Sequence, residues 1–113
     1  MDNTLVLKAL ADETRIKILT LLLKNTLCVR ALAEKLALAE ATVSQHLKVL
    51  REAGLLTGEK HGYFMHYAVD RAVLHKLAKD MEALALTERD ADEQQRELKQ
   101  ADAHYCNRSE IQK

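Results

Sequence analysis

Proline is absent from the 113 residues of this chain, and glycine occurs only at Gly54, Gly58 and Gly62. These two residues cost a helix interior about 3 and about 1 kcal/mol relative to alanine. With breakers confined to one short stretch, the rest of the chain is free to be helical, and the predicted fold class is mainly α. Cysteine is scarce as well: Cys28 and Cys106 stand far apart and form no disulfide framework. Aromatic residues make up only 4% of the chain, so a core must come from the aliphatic majority of the 48% apolar fraction. No apolar run reaches membrane-spanning length, and "MDNTLVLKAL" lacks a signal-peptide pattern; a cytoplasmic protein with no membrane partner is expected. No glycine-rich phosphate loop and no nucleophile elbow occurs, which argues against an enzyme.

An excess of one charge is also missing, with 17 Lys and Arg against 17 Asp and Glu. The distribution is uneven, however. Residues 1–80 hold 12 basic against 9 acidic side chains, and residues 81–113 hold 5 against 8. A basic body with an acidic end region is compatible with a nucleic-acid partner.

Thr4 to Leu10 reads as a short first helix. Asp12 suits the cap of a second, whose expected buried stripe is Ile16, Leu19, Leu22 and Leu23. After a break at Asn25-Thr26, "CVRALAEKL" predicts a two-turn helix with Val29, Leu32, Ala33 and Leu36 inward. Ala37 to Ala39 then lead into "TVSQHLKVLREAGLL", where Val43, Leu47 and Leu50 share one helical face. Its opposite face carries Thr42, Gln45 and Lys48. Two short helices joined by a three-residue turn have helix-turn-helix spacing. The two β-prone runs around Glu59-Lys60-His61-Gly62 predict a hairpin, with Gly62 at a positive-φ turn position. A hairpin directly after a helix-turn-helix is a wing. From Asp70 the helical period returns, with Val73 or Leu74, Leu77, Met81 and Leu84 forming a seam suited to a second copy of itself. Thr87 to Asp90 reads as a capping box opening a polar helix to about Ala103.

Together these motifs resemble the ArsR/SmtB family of winged helix-turn-helix transcriptional repressors. "LKALADETRIKILTLLL" is similar to that family's second helix, "TVSQHLKVLREAGLL" to its recognition helix, and Gly62 with Tyr67 to its wing. The resemblance covers about residues 5–86 and implies a winged helix-turn-helix dimeric through its terminal helices. Residues 1–86 would be the DNA-binding and dimerisation domain, and 87–113 a polar helix and tail. The implied partners are a double-stranded DNA operator and a second copy of the chain, joined at Leu77, Met81 and Leu84. The expected DNA contacts are Thr42, Ser44, Gln45, His46 and Lys48 of the recognition helix, with Lys60, His61 and Tyr63 of the wing. Glutamine can pair bidentately with adenine and lysine can reach guanine or phosphate. Packing against a neighbouring helix is the other reading of His46. Two half-sites would lie about one helical turn, roughly 34–36 Å, apart.

The family's Cys-Val-Cys metalloid site is incomplete in "TLCVRAL", where Arg30 holds the second cysteine position, and its fifth-helix zinc pattern is missing. Cys28, His104 and Cys106 remain as candidate ligands for a thiophilic metal or metalloid ion, with the effector unknown. Oxidation of Cys28 and Cys106 is an alternative. A third reading takes Cys28 as a small apolar residue and Cys106 as an incidental thiol. As a whole, the sequence predicts a repressor released from DNA by a thiol-reactive effector. The rival readings are a repressor with no such effector and a helical protein-interaction module.

Overall fold

The computed structural model describes residues 2–91. By its internal packing the chain divides into two compact units, Met1–Met81 and Glu82–Lys113.

In the first unit, helix α1 (Thr4–Leu10) leads into α2 (Glu13–Lys24). Asp12 caps α2 as its spacing predicts: its Oδ1 accepts from the Arg15 backbone N–H at 3.0 Å. The buried stripe of α2 is displaced from the expected one. Ile18, Leu19 and Leu22 are buried, Leu23 is half-buried, and Ile16 is 43% exposed. Helix α2 carries apolar residues on more than one face, and tertiary packing selects the face that meets the rest of the core.

A two-residue strand, β1 (Leu27–Cys28), follows, and then α3 (Val29–Leu36). The sequence reading placed Cys28 within the helix; it is instead the extended N-cap residue, drawn into a strand by pairing with the hairpin. Helix α3 ends at Ala37, the one non-glycine residue with positive φ (56°) among the described residues. The Leu38 N–H reaches back to the Ala33 carbonyl at 3.0 Å and closes the turn. Left-handed alanine costs about 1–2 kcal/mol, which the packing of Leu32, Ala33 and α4 must offset.

Helix α4 (Glu40–Glu52) starts at Ala39 without a side-chain cap, as expected for alanine at that position, and buries Val43, Leu47 and Leu50. It stops at Gly54 (φ 80°), where Leu55 N–H bonds to the Leu50 carbonyl at 3.0 Å. Both leucines are fully buried, so the cap and the core reinforce each other.

Strands β2 (Leu56–His61) and β3 (Phe64–Val69) form the hairpin, and β1 pairs with the other edge of β3 in the antiparallel order β1-β3-β2. The hairpin tip is further along than expected. Glu59 and Lys60 are strand residues opposite His66 and Met65, and the loop is Gly62-Tyr63. Gly62 has φ 63° and Tyr63 is not positive, the type II′ pattern that matches strand twist. Asp70 caps α5 (Arg71–Ala85) by accepting from Ala72 N–H, and Arg71 donates to the Leu23 carbonyl at 2.8 Å, tying the start of α5 to the end of α2.

In the second unit, Leu86 and Thr87 N–H groups bond back to Glu82 and Leu84 carbonyls, and Thr87 Oγ1 donates to the Ala83 carbonyl at 3.4 Å. Thr87 therefore serves the end of a helix. Residues 87–90 are not helical, so the expected capping box does not open a helix there; Ala91 is helical, and the remainder of the expected polar helix lies outside the described residues. No helix among the described residues is long and apolar enough to cross a membrane.

Candidate nucleic-acid interface

Burying Val43, Leu47 and Leu50 fixes the rotation of α4 and thereby decides which side chains it presents. Thr42, Ser44, Gln45 and Lys48 are all exposed, while His46 is half-buried. Ser44 and Lys48 line a groove of about 500 Å³ with Leu47, Arg51, Glu52 and Tyr67, so the groove runs between α4 and β3. Arg51 was missed in the sequence reading although it follows Lys48 by three residues, the spacing of neighbours on one helix face. Neither Lys48 nor Arg51 forms an ion pair among the described residues. Two cations outside any ion pair, with one carboxylate, Glu52, in the same groove, stand beside exposed hydroxyl and amide groups and suit an anionic, hydrogen-bonding ligand.

His46 is not simply one more exposed group. Its Nδ1 lies 3.3 Å from Arg15 Nη1 of α2. Asp12 completes this corner, its Oδ2 3.8 Å from Arg15 Nη1. The hydrogen bond from the Arg15 backbone holds the Asp12 carboxyl below its usual range, and the nearby charge of Arg15 acts in the same direction.

On the hairpin, Lys60 is exposed and Tyr63 is fully exposed at the loop. His61 folds back on the hairpin: Nε2 is 3.2 Å from Glu59 Oε2 of its own strand, and its ring stacks on His66 of β3 with centroids 4.6 Å apart. Thus the hairpin gathers Lys60, His61 and Tyr63, but His61 already has partners there.

Of the candidate metal ligands, Cys28 is half-buried beside a cavity of about 250 Å³ lined by Arg30, Ala31, Glu34, Phe64 and His66. Arg30 pairs with Glu34 of the next turn at 3.6 Å. His104 and Cys106 lie outside the described residues. Among the described residues, no three His, Cys, Asp or Glu side chains are grouped to hold a metal ion.

Residues 12–57, spanning α2 through the start of β2, match the family described as bacterial regulatory protein, arsR family. The HTH-type transcriptional repressor SmtB of Mycobacterium tuberculosis (strain ATCC 25618 / H37Rv) is 41% identical over 73 residues, 65% of this chain and 48% of that protein. The transcriptional repressor SdpR of Bacillus subtilis (strain 168) is 34% identical over 74 residues, 66% of this chain and 80% of that one. The match to SmtB thus spans about half of that relative's length. Among solved structures, an ArsR-like transcriptional regulator from Rhodococcus sp. RHA1 superposes with TM-score 0.71 at 30% identity, covering 88% of this chain and 89% of that one. The homodimeric winged helix-turn-helix DNA-binding domain of Mb0332 from Mycobacterium bovis gives TM-score 0.59 at 26% identity, with 77% and 85% covered. With a helix-turn-helix in α3 and α4 and a wing in β2 and β3, the chain belongs to the arsR family of bacterial regulatory proteins.

Proposed function

We propose that this chain is a cytoplasmic, sequence-specific DNA-binding transcriptional repressor that acts as a homodimer. One observation carries the reading: the exposed face of α4 joins Thr42, Gln45 and Lys48 to a groove holding the unpaired cations Lys48 and Arg51. A helix in the major groove needs such a face, with amide and cation groups for base edges and further cations for phosphates. The homodimeric Mb0332 domain and the repressors SmtB and SdpR support it by likeness.

The test is Gln45→Ala, assayed for binding to duplex DNA from upstream of the chain's own coding sequence and to random duplex. Loss of a good base contact lowers discrimination by about 1–3 kcal/mol, and the expected result is weaker upstream binding with fold and oligomeric state unchanged. A variant that keeps its full preference for upstream over random DNA removes Gln45 from the readers. Failure of the unmodified protein to bind any duplex in a salt-dependent manner favours the protein-interaction module instead.

The regulation we propose works through the thiol of Cys28, reached by a metal, metalloid or oxidant. The described donors do not by themselves make a metal site, so His104 and Cys106 would have to complete one. Cys28 is well placed for a switch because it both pairs with His66 of the wing and stands at the N-cap position of α3, the first helix of the helix-turn-helix. A ligand there can release DNA only by binding the DNA-incompetent arrangement more tightly, with couplings of about 1–3 kcal/mol. Cys28→Ser is expected to bind DNA as before and to lose release by whichever of cadmium, arsenite or peroxide releases the unmodified protein. Release that persists in Cys28→Ser places the switch elsewhere.

A further inference from the structure

Arg15 is unusual among the described basic side chains in being largely enclosed: its side chain is only 16% exposed. Its Nε donates to the Ala9 carbonyl at 2.7 Å and its Nη2 to the Lys8 carbonyl at 3.2 Å. Both carbonyls sit at the end of α1, where backbone acceptors run out of helical donors; that of Lys8 also accepts from the Ala11 N–H at 3.3 Å. The third corner of the guanidinium, Nη1, meets His46 Nδ1 on α4 at 3.3 Å and lies 3.8 Å from the Asp12 carboxylate at the cap of α2. One planar side chain thus bonds to α1 and to α4 while standing on α2.

We propose that Arg15 is a positioning residue for the recognition helix α4, fixing His46 with a bare Nδ1 and a protonated Nε2 so that His46 meets DNA as a hydrogen-bond donor. The inference rests on the DNA-binding reading above and deepens it. Its chemistry is that of the donor inventory. A guanidinium only donates, so the His46 nitrogen facing it must accept. A neutral imidazole whose Nδ1 accepts carries its hydrogen on Nε2, across the ring. Because the guanidinium is rigid and its other two bonds are anchored on backbone, it offers His46 one geometry rather than a family of them. Nε2–H then suits the acceptors that duplex DNA presents: phosphate oxygens, guanine N7 and O6, adenine N7 and thymine O4. The two sequence readings of His46, packing and DNA contact, become two ends of one ring.

The tautomer is read by two-bond 1H–15N correlation on the unmodified, uniformly 15N-labelled protein, at a pH where the ring is neutral. The expected spectrum has a bare Nδ1 and a protonated Nε2 for His46, and in Arg15→Gln this pattern gives way to a mixture of tautomers. On the upstream duplex, Arg15→Gln and His46→Ala are each expected to lose about tenfold in affinity, the scale of one charge-assisted or well-placed hydrogen bond. The double variant should lose little more than either alone, since each breaks the same latch. A purely structural Arg15 would weaken binding through stability and leave the tautomer unmoved. A protonated Nδ1 in the unmodified protein overturns the proposal, and that measurement does not depend on how well any variant folds. Fully additive losses in the double variant overturn it as well. The expected tautomer in a protein that binds no duplex would instead overturn the DNA-binding reading and leave the latch standing.

Discussion

Replacing Leu47 by alanine is expected to destabilise the fold by about 2–5 kcal/mol, the cost of a large-to-small change at a buried leucine. Leu47 is 2% exposed and lies at the middle of α4, between Val43 and Leu50 on the buried face. A domain of this size has about 5–15 kcal/mol in total, so the upper part of the range removes much of the folded population at physiological temperature. The loss bears on function directly, because the same residue that anchors α4 also borders the groove of Ser44, Lys48 and Arg51. Urea unfolding should show a lower midpoint, and affinity for the upstream duplex should fall with it. Val49, two residues on and exposed, is the control: Val49→Ala is expected to stay within about 0.5 kcal/mol of the unmodified protein. Equal effects of the two substitutions would contradict the orientation of α4.

That orientation was legible in the sequence because Val43, Leu47 and Leu50 leave a helix only one way to face a core, and Gly54 ends it. The start of α2 was legible for a related reason: Asp12 can cap only a helix that starts after it. Elsewhere a local pattern met a tertiary decision. Ile16 and Ile18 are equally apolar, and only the packing around α2 buries the second and exposes the first. The strand at Leu27-Cys28 exists because β3 offers it a free edge, with Tyr67 and His66 as partners far along the chain. Thr87 has the residue type and spacing of a helix start, yet its hydroxyl is turned to the Ala83 carbonyl. At the candidate interface, the exposure of Thr42, Gln45 and Lys48 follows from the helical period alone. The bond between Arg15 and His46 does not, since 31 residues separate them and no periodicity links them.

The double substitution Leu77→Asp with Met81→Asp is expected to break the proposed homodimer and, with it, most of the affinity for DNA. Both residues lie on α5 and are only half-buried in the single chain, and Leu84 beyond them is exposed. Helix α1 adds exposed Leu5 and Leu7, and it is held to α5 through Asn3 Nδ2, which donates to Asp80 Oδ2 at 3.1 Å. Lys76 binds the same carboxylate at 2.9 Å; these two side-chain hydrogen bonds hold Asp80 below the usual carboxylate range and keep it charged. Leu77 and Met81 thus leave apolar surface on α5, next to the point where Asn3 ties the start of α1 to it. If a second copy covers it, four aspartates would be brought into an apolar interface, a strongly destabilising arrangement. Sedimentation should then give the mass of a single chain. Each recognition helix would have to bind its half-site without the other, and the loss of linked binding is worth about 10²–10⁴ in affinity. Circular dichroism keeps the outcome interpretable, since helix content lost along with the dimer would mean that α5 itself had unfolded. A folded variant that sediments as an unchanged dimer would place Leu77 and Met81 outside the interface and put the partner surface on another face of the chain.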